Sequence, residues 1–210
     1  MVVHLVHTAE VHKATFDRLR DEIAAGVTIE HHVKEAWLTR ARAEDPGGLQ
    51  SEIADYLDSL AGPVLCTCST IGPMAEKSGA LRLDWPMMQA AAHAGDSVLL
   101  VYCLESTAYP SRLLLQRAGE EENLSQETVE LFLPDHWKLF EQGHTDAFLG
   151  AVAKDIEAAV MRHPDVKAVI LAQASMAGAA EKLCKLDIPI FSSPRLALQA
   201  VLAMDEVKAS

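Results

Sequence analysis

The chain has 210 residues, of which 50% are hydrophobic and 23% are charged, and this composition is typical of a globular protein with one large domain or two small ones. Its formal net charge of −12 argues against direct binding to nucleic acid or to an anionic membrane, because both surfaces repel an acidic protein. No apolar run approaches the roughly 20 residues that span a bilayer, and the first residues lack the pattern of a signal peptide. We therefore expect a cytoplasmic protein.

Strands and helices are predicted to alternate along the whole chain. The apolar, β-branched runs predict strands at 2–6, 27–33, 64–68, 81–84, 97–104, 128–133, 166–171 and 188–191. Helical periodicity predicts helices at 9–25, 49–60, 71–78, 87–94, around 113–115, at 146–162 and from 194 onwards. This alternation favours an α/β fold of parallel sheets with right-handed crossovers. The acidic segment 119–123 is expected to be an exposed link.

An internal repeat divides the chain into two halves. The segment 64–70 recurs as 169–175, and a Glu-Lys pair follows each copy at the same offset of 105 residues. We expect a first lobe at 1–95, completed by 194–210, and a second lobe at 96–193. Two such copies generally place a ligand in the cleft between them.

The strand at 64–68 ends in Cys68, at the edge of a parallel sheet where a helix begins. The N-terminus of that helix would stabilise a thiolate, so Cys68 is a candidate base or nucleophile. The alternative is that Cys68, like Cys66, packs as a small hydrophobic residue. Neither the cysteines nor the histidines show a metal-ligand spacing, and no metal site is expected.

These residues resemble the aspartate/glutamate racemase superfamily, which includes hydantoin racemase, maleate isomerase and arylmalonate decarboxylase. The resemblance rests on a strand ending in Cys68-Ser69-Thr70, on the equivalent strand followed by Ser175, and on the two-lobed βα pattern, and it covers nearly the whole chain. It implies two pseudo-symmetric flavodoxin-like lobes, each with a parallel sheet of about four strands, and a ligand cleft between them. It further implies a small carboxylate ligand, no cofactor and, by the habit of the family, a possible homodimer.

The resemblance also assigns roles to residues. Cys68 matches the catalytic cysteine of the first lobe, and His7 lies where the family places a polar residue that assists the base. The alternative is that His7 is a polar cap, which is the more frequent role of an isolated histidine at a strand end. The positions that match substrate-binding residues are Thr8, Ser69, Thr70, Ser106, Thr107, Gln173 and Ser175.

Gln173 departs from the family pattern, because it stands where the second-lobe cysteine is expected. An amide is neither a useful acid nor a useful base near pH 7, so proton transfer by two cysteines is in doubt. The sequence favours a cofactor-independent racemase or isomerase that uses a single cysteine to transfer a proton at the carbon next to a carboxylate. The alternatives are a one-cysteine decarboxylase and a non-catalytic protein that binds small carboxylates.

Overall fold

A computed structural model describes residues 2–43 and 47–208, with side chains described as far as residue 204. Its contacts divide the chain into a first lobe, Met1–Pro86 with Pro194–Ser210, and a second lobe, Met87–Ser193. The first boundary thus falls after residue 86, where the sequence analysis placed it after residue 95. Residues 1, 44–46 and 209–210 belong to the predicted lobe ranges but lie outside the described residues.

Within the described ranges, strands and helices alternate as the sequence predicts. The strands are β1 (Val2–His7), β2 (Thr28–Val33), β3 (Val64–Cys66), β4 (Leu81–Arg82), β5 (Ser97–Tyr102), β6 (Glu127–Phe132), β7 (Ala168–Leu171) and β8 (Ile190–Ser192). The α-helices are α1 (Val11–Ile23), α2 (Glu35–Ala41), α3 (Leu49–Asp58), α4 (Gly72–Lys77), α5 (Trp85–Ala92), α6 (Glu105–Glu121), α7 (Trp137–Glu141), α8 (Thr145–Arg162), α9 (Ala179–Lys182) and α10 (Ser193–Lys208). Short 3₁₀ turns cover Pro134–His136 and Ala174–Met176.

The two sheets have the same topology. The first lobe has the strand order β2-β1-β3-β4 and the second lobe has the order β6-β5-β7-β8, and every neighbouring pair is parallel. In each lobe the third strand in chain order lies beside the first: β3 lies beside β1, and β7 lies beside β5. The sequence repeat falls on β3 and β7. The predicted α/β fold class with two four-stranded parallel sheets is confirmed.

In the first lobe, the two faces of the sheet pack against different helices. Side chains alternate between faces along a strand, so Val6 and His7 point in opposite directions. Val6 joins an apolar cluster that includes Trp37 of α2 and Ile53 of α3. His7 lies on the other face, with its ring 5.9 Å from the ring of Phe16 in α1.

In the second lobe, helix α8 covers one face of the sheet. Its apolar stripe packs against alternate residues of the central strands, as expected for an amphipathic helix on a sheet. The stripe and its partners include Phe148, Val152, Ile156, Leu99, Val101, Val169 and Leu171. Over the described part of the chain, no helix combines the length and the apolar character that crossing a membrane requires.

The prediction of an exposed link at 119–123 is wrong in part. Helix α6 continues to Glu121, and Gly119 is buried within it. The carbonyl of Gly119 accepts a hydrogen bond from the N–H of Leu124 at 2.8 Å, and Asn123 adopts a left-handed φ of 56°. This is an ordinary helix C-terminus, where a left-handed residue lets the chain turn back on the last carbonyls.

Candidate functional site

The candidate site in the first lobe lies at the carboxyl ends of β1 and β3, which are neighbours in the sheet. The N–H of Thr67 donates to the carbonyl of Val6 at 2.9 Å and extends the pairing beyond β3. His7 and Thr8 follow on one chain segment, and Cys68 follows Thr67 on the other. The strand pairing therefore brings the segments that carry His7 and Cys68 together at one edge of the sheet.

Cys68 is the more accessible of the two cysteines in this region. It is half-buried and packs against the apolar cluster beside α3 and α4. Cys66 is fully buried within β3, and burial raises the pKa of its thiol to about 12. The thiol of Cys66 donates to the carbonyl of Cys68 at 3.6 Å. Cys66 therefore stays protonated and serves the core, as the sequence analysis allowed, whereas Cys68 is only half-buried.

The turn after Cys68 presents backbone donors. Ser69 and Thr70 are exposed, and their N–H groups donate to no acceptor among the described residues. The turn leads into α4, where Gly72 lies against Arg82: a Cβ atom at residue 72 would be 3.2 Å from Nε of Arg82. Unpaired N–H groups beside a thiol form a suitable site for a carboxylate or a developing enolate oxygen.

His7 lies in a buried chain of hydrogen bonds. Its Nδ1 is 2.7 Å from Oγ1 of Thr67, and its Nε2 is 2.8 Å from Nδ1 of His31 in β2. Nε2 of His31 is in turn 3.3 Å from Oδ1 of Asp17 in α1. These bonds join Thr67, the residue before Cys68, to a carboxylate that is partly exposed on α1.

Thr67, His31 and Asp17 were not singled out from the sequence. In the sequence, His31 was visible only as a histidine near the end of a predicted strand. That this strand, β2, lies beside β1 and so brings His31 to His7 follows only from the sheet order. Asp17 and Thr67 offered no separate signal.

Burial lowers the pKa of His7 to about 3, with further contributions from His31, His12 and Lys13. The imidazole of His7 is therefore neutral at pH 7 in the folded protein. Both ring nitrogens have partners, so the orientation of the His7 ring is fixed. In its neutral form His7 does not act as an imidazolium acid at pH 7.

The lowered pKa of His7 predicts a loss of stability in acid. An unfolded histidine binds a proton below its ordinary pKa of 6.5, whereas folded His7 does not until about pH 3, so the unfolded state is favoured as the pH falls between these values. At about pH 4.5 the effect amounts to about 3 kcal/mol. Urea unfolding at about pH 7 and about pH 4.5 should show this loss in the wild type and a smaller loss in His7→Gln. If the wild type and His7→Gln lost equal free energies of unfolding, the pH dependence would not come from the lowered pKa of His7.

In the second lobe, Gln173 is an anchor for the backbone. It follows β7, and its Oε1 accepts hydrogen bonds from the N–H groups of Cys103 at 2.6 Å and Leu104 at 3.2 Å. These residues connect β5 to α6, whose first turn carries Ser106, which is exposed, and Thr107, which is half-buried. The structure therefore joins Gln173 to the segment that leads to Ser106 and Thr107.

The remaining polar atom of Gln173 is free. Its Nε2 has no partner among the described residues, and the two bonds to Oε1 fix the orientation of the amide. Ser175 lies two residues further on, in the 3₁₀ turn, and is half-buried. The bonds from Gln173 to the backbone, which the sequence analysis missed, give this position a structural role and leave its Nε2 as a free donor.

Gln173→Leu is expected to destabilise the protein. The substitution leaves the N–H groups of Cys103 and Leu104 without their acceptor, and an unsatisfied buried donor costs about 1–3 kcal/mol. Gln173→Glu retains an acceptor and is the matched control. Urea unfolding should show a clear loss for the leucine variant and a smaller one for the glutamate variant. Wild-type stability in Gln173→Leu would show that these bonds contribute nothing.

A surface cavity of about 490 Å³ lies elsewhere in the second lobe, between the end of α6 and the start of β6. Its lining includes Gln116, Leu124 and Gln126 and none of the predicted site residues. The cavity lies at the amino end of β6, whereas Gln173 follows the carboxyl end of β7. Because the strands are parallel, the cavity and Gln173 lie at opposite ends of the strands.

No protein-family model and no curated protein sequence matches the chain. Several solved structures do. An allantoin racemase from Klebsiella pneumoniae superposes with a TM-score of 0.71 at 16% identity, covering 99% of this chain and 89% of that one. A Picrophilus torridus aspartate racemase gives a TM-score of 0.62 at 17% identity, covering 97% and 93%. A glutamate racemase from Francisella tularensis, in complex with D-glutamate, gives 0.67 at 14% identity, covering 98% and 81%.

The chain has the racemase fold. The resemblance to the aspartate/glutamate/hydantoin racemase superfamily is thereby confirmed at the level of the fold. The racemase fold covers nearly the whole chain, as the sequence analysis predicted. The roles of individual residues stay predictions and are taken up as a proposal.

Proposed function

We propose that this chain is a cofactor-independent enzyme of the racemase or isomerase type. It transfers a proton at the carbon next to a carboxylate of a small amino acid or dicarboxylate, with Cys68 as the acid-base group. The observation that supports this most directly is the half-buried thiol of Cys68 beside the unpaired N–H groups of Ser69 and Thr70, in a chain with the racemase fold.

The proposed reaction begins with the substrate carboxylate accepting hydrogen bonds from the turn at Ser69 and Thr70 and from the hydroxyl of Thr8. The thiolate of Cys68 removes the proton from the neighbouring carbon, and the electron pair of the C–H bond moves into the carboxylate as an enolate. The N–H groups stabilise the charge that develops on the oxygen. The thiol of Cys68 returns its proton to the same face of the carbon, which restores the substrate, or water protonates the opposite face while the thiol loses its proton to solvent, which gives the isomer.

In this proposal His7 acts through Thr67. Because its imidazole is neutral at pH 7, it does not protonate the substrate as an imidazolium; it holds Thr67, the residue before Cys68, through the hydrogen bond at Nδ1. The polar groups of Ser106, Thr107, Gln173 and Ser175 are proposed to hydrogen-bond the substrate. Gln173 supplies its free Nε2, and its amide does not replace the missing second thiol.

The replacement of a second thiol by Gln173 favours a second candidate function. A site with one thiol can protonate a carbanion on one face only, which suits a decarboxylase that acts on a substituted malonate. In that reaction the C–C bond to the departing carboxylate breaks, CO₂ leaves, and Cys68 as a thiol donates its proton to the carbanion.

Proton NMR in D₂O tests the proposal directly. The wild-type protein is incubated with aspartate, glutamate, allantoin and a set of small monocarboxylates, dicarboxylates and substituted malonates. Loss of the signal from the proton next to the carboxylate supports the racemase-type activity, whereas release of CO₂ from a malonate supports the decarboxylase. If a carboxylate binds by calorimetry and shows neither change, the chain is a binding protein and the proposal fails.

A further inference from the structure

Two histidines and a glutamate form a cluster on β1 and β2, separate from the His7 chain. His4 of β1 pairs in register with Glu30 of β2, and His32 follows Glu30 by two positions on the same strand. Because side chains alternate between faces, Glu30 and His32 share a face, and His4 joins them there. His7 and His31 lie on the opposite face, towards α1.

The potential ligand atoms of these three residues are close together. Nδ1 of His4 is 3.1 Å from Nε2 of His32 and 3.4 Å from Oε2 of Glu30. One ligand atom from each residue lies within 4.8 Å of the other two. Ligands at 2.0–2.1 Å from a tetrahedral zinc ion are separated by about 3.4 Å, so these spacings need little adjustment to enclose an ion.

The surroundings orient both imidazoles for metal binding. The ring nitrogen Nε2 of His4 lies 3.2 Å from the carbonyl of Ala61. A carbonyl only accepts, so Nε2 of His4 carries the proton and Nδ1 presents a lone pair. Nδ1 of His32 is 2.8 Å from the hydroxyl of Tyr56, and in the tautomer that leaves Nε2 free for an ion Nδ1–H donates a hydrogen bond to that hydroxyl. Protein metal sites use such partners to fix the tautomer of a ligating histidine.

The cluster has a path to solvent, and one of its three residues supplies a negative charge. The side chain of His4 is 7% exposed, whereas that of Glu30 is 53% exposed. An ion can therefore enter past Glu30 and bind imidazoles that are held in place. The carboxylate of Glu30 offsets one of the two charges of the ion. The ammonium of Lys34 lies 3.6 Å from the centre of the Tyr56 ring and is the nearby charge that opposes binding.

We propose that His4, Glu30 and His32 form a binding site for Zn²⁺, with water as the fourth ligand. Two imidazoles and one carboxylate suit zinc and related first-row divalent ions, and an open fourth position is usual for such three-ligand sites. Because β2 is an edge strand of the sheet, the ion would tie that edge to β1. The expectation of no metal site, drawn from sequence spacing, missed this cluster because strand register brings His4 next to Glu30 and His32, which lie 26 and 28 residues further along the chain. The site is independent of the proposed function.

Calorimetric titration of ZnCl₂ into EDTA-treated and dialysed full-length protein tests the site. We expect one equivalent to bind, with affinity weakened at least about 100-fold in His32→Gln and in Glu30→Gln, because each substitution removes a ligand from the coordination sphere. Tyr56→Phe removes only the outer partner and should weaken binding about 10-fold. His144→Gln removes an exposed histidine of the second lobe, is the matched control and should bind as the wild type does. Circular dichroism checks that each variant is folded, and Glu30→Gln, at an exposed position, keeps the test valid if His32→Gln does not fold.

Cobalt(II) gives a second readout. Co²⁺ in place of zinc should give the visible absorption of a tetrahedral site without a band from thiolate-to-metal charge transfer. Absence of binding, a thiolate band, or unchanged affinity in both His32→Gln and Glu30→Gln would overturn the proposal.

Discussion

Replacing Cys68 with alanine is expected to abolish proton exchange at the carbon next to the carboxylate. The thiol is the group that takes and returns the proton in the proposed reaction, and a positioned acid-base group contributes a factor of about 10²–10⁴ to the rate. The rate of deuterium incorporation in Cys68→Ala should therefore fall by at least about 100-fold for any compound on which the wild type acts. Binding of that compound, measured by calorimetry, should change much less, because the backbone donors of the turn remain.

Cys184→Ala is the matched control, since it removes an exposed thiol that has no place in the proposed site. It should exchange protons at the wild-type rate. Wild-type activity in Cys68→Ala would show that the reaction, if present, uses another group, and the assignment of Cys68 would be wrong.

Replacing Asp84 with alanine is expected to destabilise the protein by about 3–5 kcal/mol, because it leaves a buried charge without its partner. Arg82 and Asp84 are each 7% exposed, and the guanidinium donates two hydrogen bonds of 3.0 Å to the two carboxylate oxygens. Glu76, 3.7 Å from Arg82, is too distant to replace this paired contact in full. Urea unfolding of the wild type and Asp84→Ala measures the difference.

Asp21→Ala is the control for this substitution. Asp21 also pairs with an arginine, Arg20, but its side chain is 66% exposed, so the loss should stay below about 1 kcal/mol. If Asp84→Ala were no more destabilising than Asp21→Ala, the buried ion pair would not support the lobe. The pair also matters for the candidate site, because Arg82 packs against Gly72 at the start of α4.

The sequence was sufficient to predict the architecture because its strongest signals are local. Apolar runs such as 97–104 and 166–171 can be buried only in the centre of a sheet, and helical periodicity between such runs predicts a parallel arrangement. The repeat at 64–70 and 169–175 was also informative, since β3 and β7 occupy the same place in their two sheets. Helices α2, α7 and α9 were missed because they are short, with seven, five and four residues, and helical periodicity needs a longer window.

The candidate site could be predicted only in part. Cys68, Ser69 and Thr70 are adjacent in the chain, and their place after a strand was readable. The bonds from His7 to Thr67 and His31, the pairing of Arg82 with Asp84, and the cluster of His4, Glu30 and His32 depend on strand order, register and side-chain rotamers. These contacts join residues that are distant in the chain or that carry no distinctive motif, so composition and periodicity do not reveal them.

Site-resolved alkylation of the cysteines is the most direct test of Cys68 as the reactive group. The protein is treated with iodoacetamide over a range of pH, alone and with the compounds of the NMR panel, and each cysteine is followed by mass spectrometry. The proposal predicts that Cys68 reacts readily, that an active carboxylate protects it, and that exposed Cys184 reacts equally with and without ligand. If no carboxylate protects Cys68, or if it is as inert as buried Cys66, then Cys68 does not contact a substrate and the proposed function is contradicted.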